Sequence, residues 1–350
     1  MTEGVREQAY WLLLTFESKL STRIVNEIIV AWCQQSGRTL QEFFAADPQE
    51  WSETCQLNEE VIIKLEQARQ SHTESTQAGQ EMLLQQVSLI EKLAQDSIHL
   101  LTVLDDYYPK LLKSVLKANQ IPPILFYAGD LSILDRVTIA IIGSRKATEA
   151  SLAFTQTVVQ YIAERGVNVI SGNAPGVDQG AYEGATGAVD GYTTVVLPQG
   201  IHTLGDVEMY SFFPKIEAGK VLLLSQFHSD APWAVGRAME RNKVITGLAQ
   251  VVIVAESSLR GGTWEAANGA LKQKLPVYVR QTEDDPSLAG NNTLIERGAR
   301  PLCWPSDTEV LSPLLLESQT LRQRQMYPRT LYHQLSLLLR EQGIYYDDHP

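Results

Sequence analysis

Between residues 8 and 70 apolar side chains recur at helical spacing and are separated by polar turns. In 22-TRIVNEIIVAWCQQ-35, Ile24, Ile28, Ile29 and Trp32 fall on one face, and 59-EEVIIKLEQARQ-70 predicts a further amphipathic helix. The polar stretch 71-SHTESTQAGQE-81 breaks the pattern as a linker or helix edge, and 82-MLLQQVSLIEKLAQ-95 resumes it. From residue 97 the period changes. Ile98 to Leu104 reads as a short strand, and 119-NQIPPILFYAGDLSIL-134 brings prolines and another apolar run. Short buried-looking runs then alternate with helix-length segments: 137-VTIAIIG-143, 167-VNVIS-171, 192-YTTVVLP-198, 220-KVLLLS-225, 250-QVVIVAE-256 and 276-PVYVR-280. Helices are predicted from about Glu149, from about Asp178, through 234-AVGRAMERNKVITGL-248 and from about Thr263.

This alternation predicts an α/β fold with a mainly parallel sheet and right-handed crossovers, preceded by a small helical domain. The boundaries it suggests are 1–96 for the helical domain and its connecting helix, 97–310 for the α/β domain, and 311–350 for a short helical C-terminal tail with an acidic end.

At 350 residues and 44% hydrophobic, the chain has enough apolar surface for a sizeable core. No charge-free apolar run is long enough to span a bilayer and no basic-then-apolar leader opens the sequence, so a soluble cytoplasmic protein without a membrane partner is expected. Cys33, Cys55 and Cys303 lie far apart and the six histidines are scattered, so neither a metal site nor a cofactor is expected. The net charge of −12 argues against coating duplex DNA by charge alone. That charge is compatible with a local basic groove, because salt confines each charge's influence to about 8 Å.

The loops that follow the strands carry the candidate chemistry, since in an open parallel sheet they share one edge and ligands bind there. Gly143-Ser144-Arg145-Lys146 offers backbone N–H groups, a hydroxyl and two cations at a helix start. The run 171-SGNAPGVDQGA-181 carries Gly172, Gly176 and Gly180, with Asp178 placed as a helix N-cap. In 260-RGGTWEA-266 two glycines and a hydroxyl precede a helix, and the segment after Ser225 leads to Arg237, Arg241 and Lys243. Each feature alone has a plain structural reading as a tight turn, a cap, or an exposed helix face paired with Glu240. Together they converge on an anion-binding crevice. No Gly-x-Gly-x-x-Gly follows the first strand of this series and no Gly-x-x-x-x-Gly-Lys-Ser/Thr loop occurs, so dinucleotide chemistry and ATP hydrolysis both lose ground.

These residues resemble the DNA-processing DprA/Smf family. The similarity rests on Gly143-Ser144-Arg145, on 171-SGNAPGVD-178, on 241-RNKVITGL-248, on 290-GNNTLIERGA-299, and upstream on 100-LLTVLDDYYPKLLKSV-115 and 122-PPILFYAGDLSIL-134, all in order. It implies an extended Rossmann-like domain behind a SAM-like helical domain, single-stranded DNA as ligand, protection of that strand, loading of the recombinase RecA during natural transformation or recombination, homodimerisation, and no catalytic chemistry. Carried onto this chain, the implied phosphate contacts are Arg145, Lys146, Arg241 and Lys243. Gly143, Ser144, Ser171 and Gly172 would act as hydroxyl and backbone donors, with Arg237 and Asn242 beside them. Asn242 and Asn292 read as loop braces or polar contacts, and Trp233 and Trp264 as loop anchors or base platforms. The family commonly has Arg where Pro175 stands, His where Tyr182 stands, and a second Arg where Lys243 stands. The N-terminal helices lack the glycine hairpin of a helix-hairpin-helix, so no duplex binding is assigned to them. From a different class, Gly261 to Glu265 partly resembles the turn of nucleotide phosphoribohydrolases and related sensors, in which Glu265 would act on a ribosyl bond and Arg145 would grip a phosphate.

Overall fold

The computed structural model describes residues 3–72, 77–281, 288–303 and 311–325. Part of the predicted linker, 73–76, and the acidic end of the tail, 326–350, lie outside them. The chain forms two compact units, one of Met1–Tyr108 with Lys117–Tyr127 and the other of Pro109–Leu116 with Ala128–Pro350.

The first unit is built from helices Glu3–Leu12, Thr22–Ile28, Leu40–Ala45, Pro48–Cys55, Glu59–His72 and Gln77–Gln95. Its centre is aromatic. Trp51 stacks on Phe43 with ring centroids 5.1 Å apart, Trp32 meets Phe43 edge-on at 5.2 Å, and both indole N–H groups donate to backbone carbonyls. The predicted helix 22–35 changes winding at Ile29, where i→i+5 turns take over to Gln35. The wider turn brings Ile28, Ile29, Val30 and Trp32 into the core together. Strand β1 (His99–Thr102) pairs antiparallel with β2 (Ile124–Ala128).

The second unit is the α/β fold expected from the alternation. Its strands are β3 (Thr138–Ile142), β4 (Asn168–Ser171), β5 (Tyr192–Val196), β6 (Val221–Ser225), β7 (Val251–Val254), β8 (Val277–Gln281) and β9 (Arg300–Cys303). They lie in the order β6-β5-β4-β3-β7-β8-β9, and each neighbouring pair is parallel. Every residue of β3, β4, β6 and β7 is buried, as strands covered on both faces must be. The order reverses at β3, which puts the topological switch point between the loops that leave β3 and β7. One core joins Ile139 and Ile141 to Phe154, Val158 and Ile162 of helix Glu149–Ala163 and to Leu311, Leu314 and Leu315 of helix Leu311–Gln325.

Candidate functional site

Because the strands run parallel, the turns after β3, β4, β6 and β7 all leave from one edge of the sheet, and backbone contacts lock them together. Gly143 follows β3 in a place where any Cβ would collide with the Val177 side chain. Ser144 Oγ then accepts the Lys146 N–H at 3.1 Å, closing the turn that carries Arg145 and Lys146, both exposed. The turn after β4 meets it head on: Val177 N–H donates to the Ser144 carbonyl at 3.3 Å. Gly176, at φ +86°, lies so close that a side chain there would collide with the same carbonyl.

Asp178 and Arg241 hold this turn from inside. Asp178 is not the N-cap expected from the sequence. Gly176 occupies that position, and the Asp178 carboxylate, already inside helix Val177–Gly187, reaches back to accept the N–H groups of Gly172 at 3.2 Å and Ala174 at 3.5 Å. Arg241, on helix Val235–Gly247, is only 3% exposed. Its Nη1 donates to the Gly172 carbonyl at 2.8 Å and to the Val196 carbonyl, and a Cβ on Gly172 would overlap its guanidinium. The expectation that Arg241 offers an open phosphate contact is thereby corrected, because the side chain is buried with Nη1 bonded to the Gly172 and Val196 carbonyls, although its buried Nε has no hydrogen-bond partner among the described residues. Burial pulls Arg241 down to about 10, opposed by the attraction of Asp178 and reinforced by Arg145. Burial likewise pushes the Asp178 carboxyl up, against Arg241, the Ala174 and Gly172 N–H groups and Arg145. Ser171 is also fully buried, with its Oγ donating to the Asp178 carbonyl at 3.3 Å, so neither its hydroxyl nor Gly172 presents an open donor.

The segment after β6 forms a second wall. Gly200 N–H donates to Ala231 O at 2.8 Å, His202 N–H to Ser229 O at 3.1 Å, and His202 Nδ1 lies 2.7 Å from Asp230 Oδ1. Arg237 is a brace here: its Nη1 donates to Pro232 O at 2.6 Å, and its guanidinium carbon lies 5.9 Å from the centre of the Phe227 ring. Next to that carbonyl, Trp233 is 48% exposed, with the Arg145 guanidinium carbon 5.7 Å from its ring centre. Asn242 braces as well, donating to Gly262 O at 3.2 Å, while Lys243 is exposed. Among the described residues no hydrogen bond or ion pair holds the side-chain cations of Arg145, Lys146 or Lys243.

At the switch point itself the helix start is already filled. Glu256, just past β7 and 7% exposed, accepts from Thr148 N at 2.9 Å, Thr148 Oγ1 at 2.9 Å and Ser151 Oγ at 2.6 Å. These are the donors that a nucleotide phosphate would need. Thr263 Oγ1 donates to the Gly143 carbonyl at 2.8 Å, joining the third glycine turn to the first, and Glu265 is exposed in the opening turn of helix Gly262–Lys272. Asn291, not Asn292, is the brace of the last motif: buried, it accepts from Ser257 N at 2.8 Å and donates to the Ala255 and Arg280 carbonyls. Asn292 is exposed.

The ordered motifs agree with a comparison against known proteins: the sequence model of the DNA recombination-mediator protein A family matches residues 99–311. The chain belongs to this family. Protein Smf of Escherichia coli K12 is 30% identical over 216 residues, which covers 61% of this chain and 57% of that one. The matched stretch is thus little more than half of the bacterial relative. Among solved structures, DNA processing protein A from Streptococcus pneumoniae shares the fold, with a TM-score of 0.59 at 21% identity over 84% of this chain and 94% of that one. The single-stranded-DNA-binding DNA processing protein A from Helicobacter pylori aligns with a TM-score of 0.53 at 26% identity over 63% of this chain and 96% of that one.

Glu256 and Asn291 are the residues that sequence reasoning missed in this recombination-mediator domain. Glu256 is a buried polar side chain at the end of a run that reads only as a strand, and Asn291 is one position away from the residue singled out. Among the described residues no cluster of His, Cys, Asp and Glu could hold a metal ion, and no helix is long and apolar enough to cross a membrane.

Proposed function

We propose that the α/β domain, 97–310, binds single-stranded DNA along the lip formed by the turns after β3, β6 and β7, and performs no catalytic chemistry of its own. The observation that carries this reading is the pair of exposed cations Arg145 and Lys146 on the turn after β3, unpaired among the described residues, with Arg145 beside the exposed Trp233 indole and Lys243 exposed on helix Val235–Gly247. Cations along a surface track phosphates, and an aromatic face supplies a platform for bases. Gly143 and Ser144 shape the turn that carries two of these cations. Arg237, Arg241, Asn242, Ser171 and Gly172 act from behind as supports. The Helicobacter pylori relative, described by its single-stranded DNA binding mode, supports the choice of ligand. Family membership supports the wider role: a cytoplasmic homodimer that protects incoming single strands and loads RecA in transformation or recombination.

The phosphoribohydrolase-like reading fares worse. Glu256 already neutralises the helix start at the switch point, and Glu265 is an exposed first-turn residue favourably placed for its helix dipole. The deciding experiment titrates the purified protein with fluorescent single-stranded DNA, duplex DNA and mononucleotides at several salt concentrations. Single strands are expected to bind, with log affinity falling by about 0.7 per phosphate contact for each tenfold rise in salt. Tight mononucleotide binding, or release of free base from a monophosphate that Glu265→Gln abolishes, would overturn the proposal.

A further inference from the structure

The same lip contains an aromatic group whose setting differs from that of every other tryptophan described. Trp11, Trp32 and Trp51 are buried in the first unit. Trp264 is half-buried, with the Arg297 guanidinium carbon 4.8 Å from its ring centre, and Arg297 is itself pinned by Asn268 Oδ1 at 2.7 Å. That arrangement closes the ring off as an anchor. Trp233 is the reverse case. It keeps 48% of its surface in water, and the cation beside it, Arg145, is held by no hydrogen bond or ion pair among the described residues.

Leaving a large apolar ring in water gains nothing for folding, and yet the segment that carries it is fixed at many points. Ser225 Oγ accepts the Phe227 N–H at 3.2 Å, Gly200 and His202 pair with Ala231 and Ser229, His202 meets Asp230, and Arg237 clamps the Pro232 carbonyl adjacent to the indole. Gly200 is required for this seating, since a side chain there would collide with the Ser229 and His228 carbonyls. A rigid scaffold that presents an exposed ring beside an uncommitted cation is pre-organised for a flat ligand attached to a phosphate.

Resting on the single-strand reading above, we propose that Trp233 is the base-stacking platform of the site, and that Arg145 and Lys146 take the phosphates flanking the stacked base. Every base has a π face, so such a platform is indifferent to sequence. A duplex hides those faces within its stack, so the platform selects single strands, which cations alone do not. Arg237 is the positioning residue that holds Trp233 in place.

The test compares wild type, Trp233→Ala and Trp233→Phe on oligo-dT, on an abasic strand of equal length and on duplex DNA, each across a salt series. The ring is exposed, so all three proteins are expected to fold, which circular dichroism melting checks. Trp233→Ala should weaken oligo-dT binding by about 5- to 150-fold with an unchanged salt slope, and Trp233→Phe should restore most of it. On the abasic strand wild type and Trp233→Ala should be equal. A Trp233→Ala protein that binds oligo-dT like wild type, or that loses equally on the abasic strand, overturns the platform while leaving the single-strand reading intact. A wild type that binds no single strand overturns both.

Discussion

Arg145 stands on the turn after β3 and Arg241 on helix Val235–Gly247, where the charge of Arg145 reaches it, yet the fold treats them in opposite ways. Arg241 is buried, its Nη1 bonded to the Gly172 and Val196 carbonyls and its charge balanced by Asp178. Arg145 lies in water against an indole. The difference separates two tasks that a motif merges. One arginine is used to build the loops, and the other makes no hydrogen bond or ion pair among the described residues.

Removing Arg241 gives the largest expected effect. Arg241→Ala leaves the buried Asp178 carboxylate without its compensating charge and strips two carbonyls of their donor. Breaking one member of a buried pair costs about 3–5 kcal/mol. Urea unfolding at neutral pH should show that loss as a lower midpoint, with Arg241→Lys intermediate because an ammonium keeps the charge but not the fork. In the protein that remains folded, the salt slope of single-strand binding should be unchanged. A fully stable Arg241→Ala with a shallower slope would move Arg241 onto the lip and dissolve the contrast.

Gly176 links the two regions and ranks next. It sits at φ +86° and against the Ser144 carbonyl, between the turn that Asp178 holds and the turn that presents Arg145. Gly176→Ala imposes a disfavoured backbone conformation, which costs about 1–3 kcal/mol, and it must also push the β3 turn away. Thermal melting should record the first effect and weaker single-strand binding the second. Loss of stability with wild-type binding would mean that the position of the β3 turn does not matter to the ligand.

Much of this was readable in the sequence. Gly143, Gly172 and Gly262 share one edge because each follows a strand, and helix-length crossovers between short buried runs force those strands to be parallel. Depth was not readable. Nothing in 241-RNKVITGL-248 says that Arg241 turns inward while Lys243, half a helical turn on, faces water. Glu256 was invisible for another reason: its partner Thr148 is 108 residues away, and only the β3–β7 pairing brings them together. In 290-GNNTLIERGA-299 two adjacent asparagines have the same chemistry, and packing alone makes Asn291 the brace. The change to i→i+5 winding at Ile29 follows from packing as well, since helical spacing alone predicts an unbroken helix there.

The smallest effect on stability belongs to the lip, and it is the most telling for function. Arg145 and Lys146 are exposed and make no side-chain hydrogen bond or ion pair among the described residues. Replacing either with alanine should therefore leave unfolding free energy within about 0.5 kcal/mol of wild type, as surface substitutions do. If each grips a phosphate, each releases condensed counterions on binding, so either change should flatten the salt slope by about 0.7. A slope difference of that size changes the ratio of affinities about two- to threefold between 50 and 200 mM salt, which a fluorescence anisotropy series resolves. The loss should be the same on oligo-dT and on mixed sequences, because phosphate contacts carry no base information. Arg145→Ala also takes the cation from beside Trp233, so it should cost more affinity than Lys146→Ala for the same change in slope. Equal losses would mean that the arginine acts on phosphate alone. An unchanged slope in both variants would remove these cations from the phosphate track and leave the lip to a different ligand.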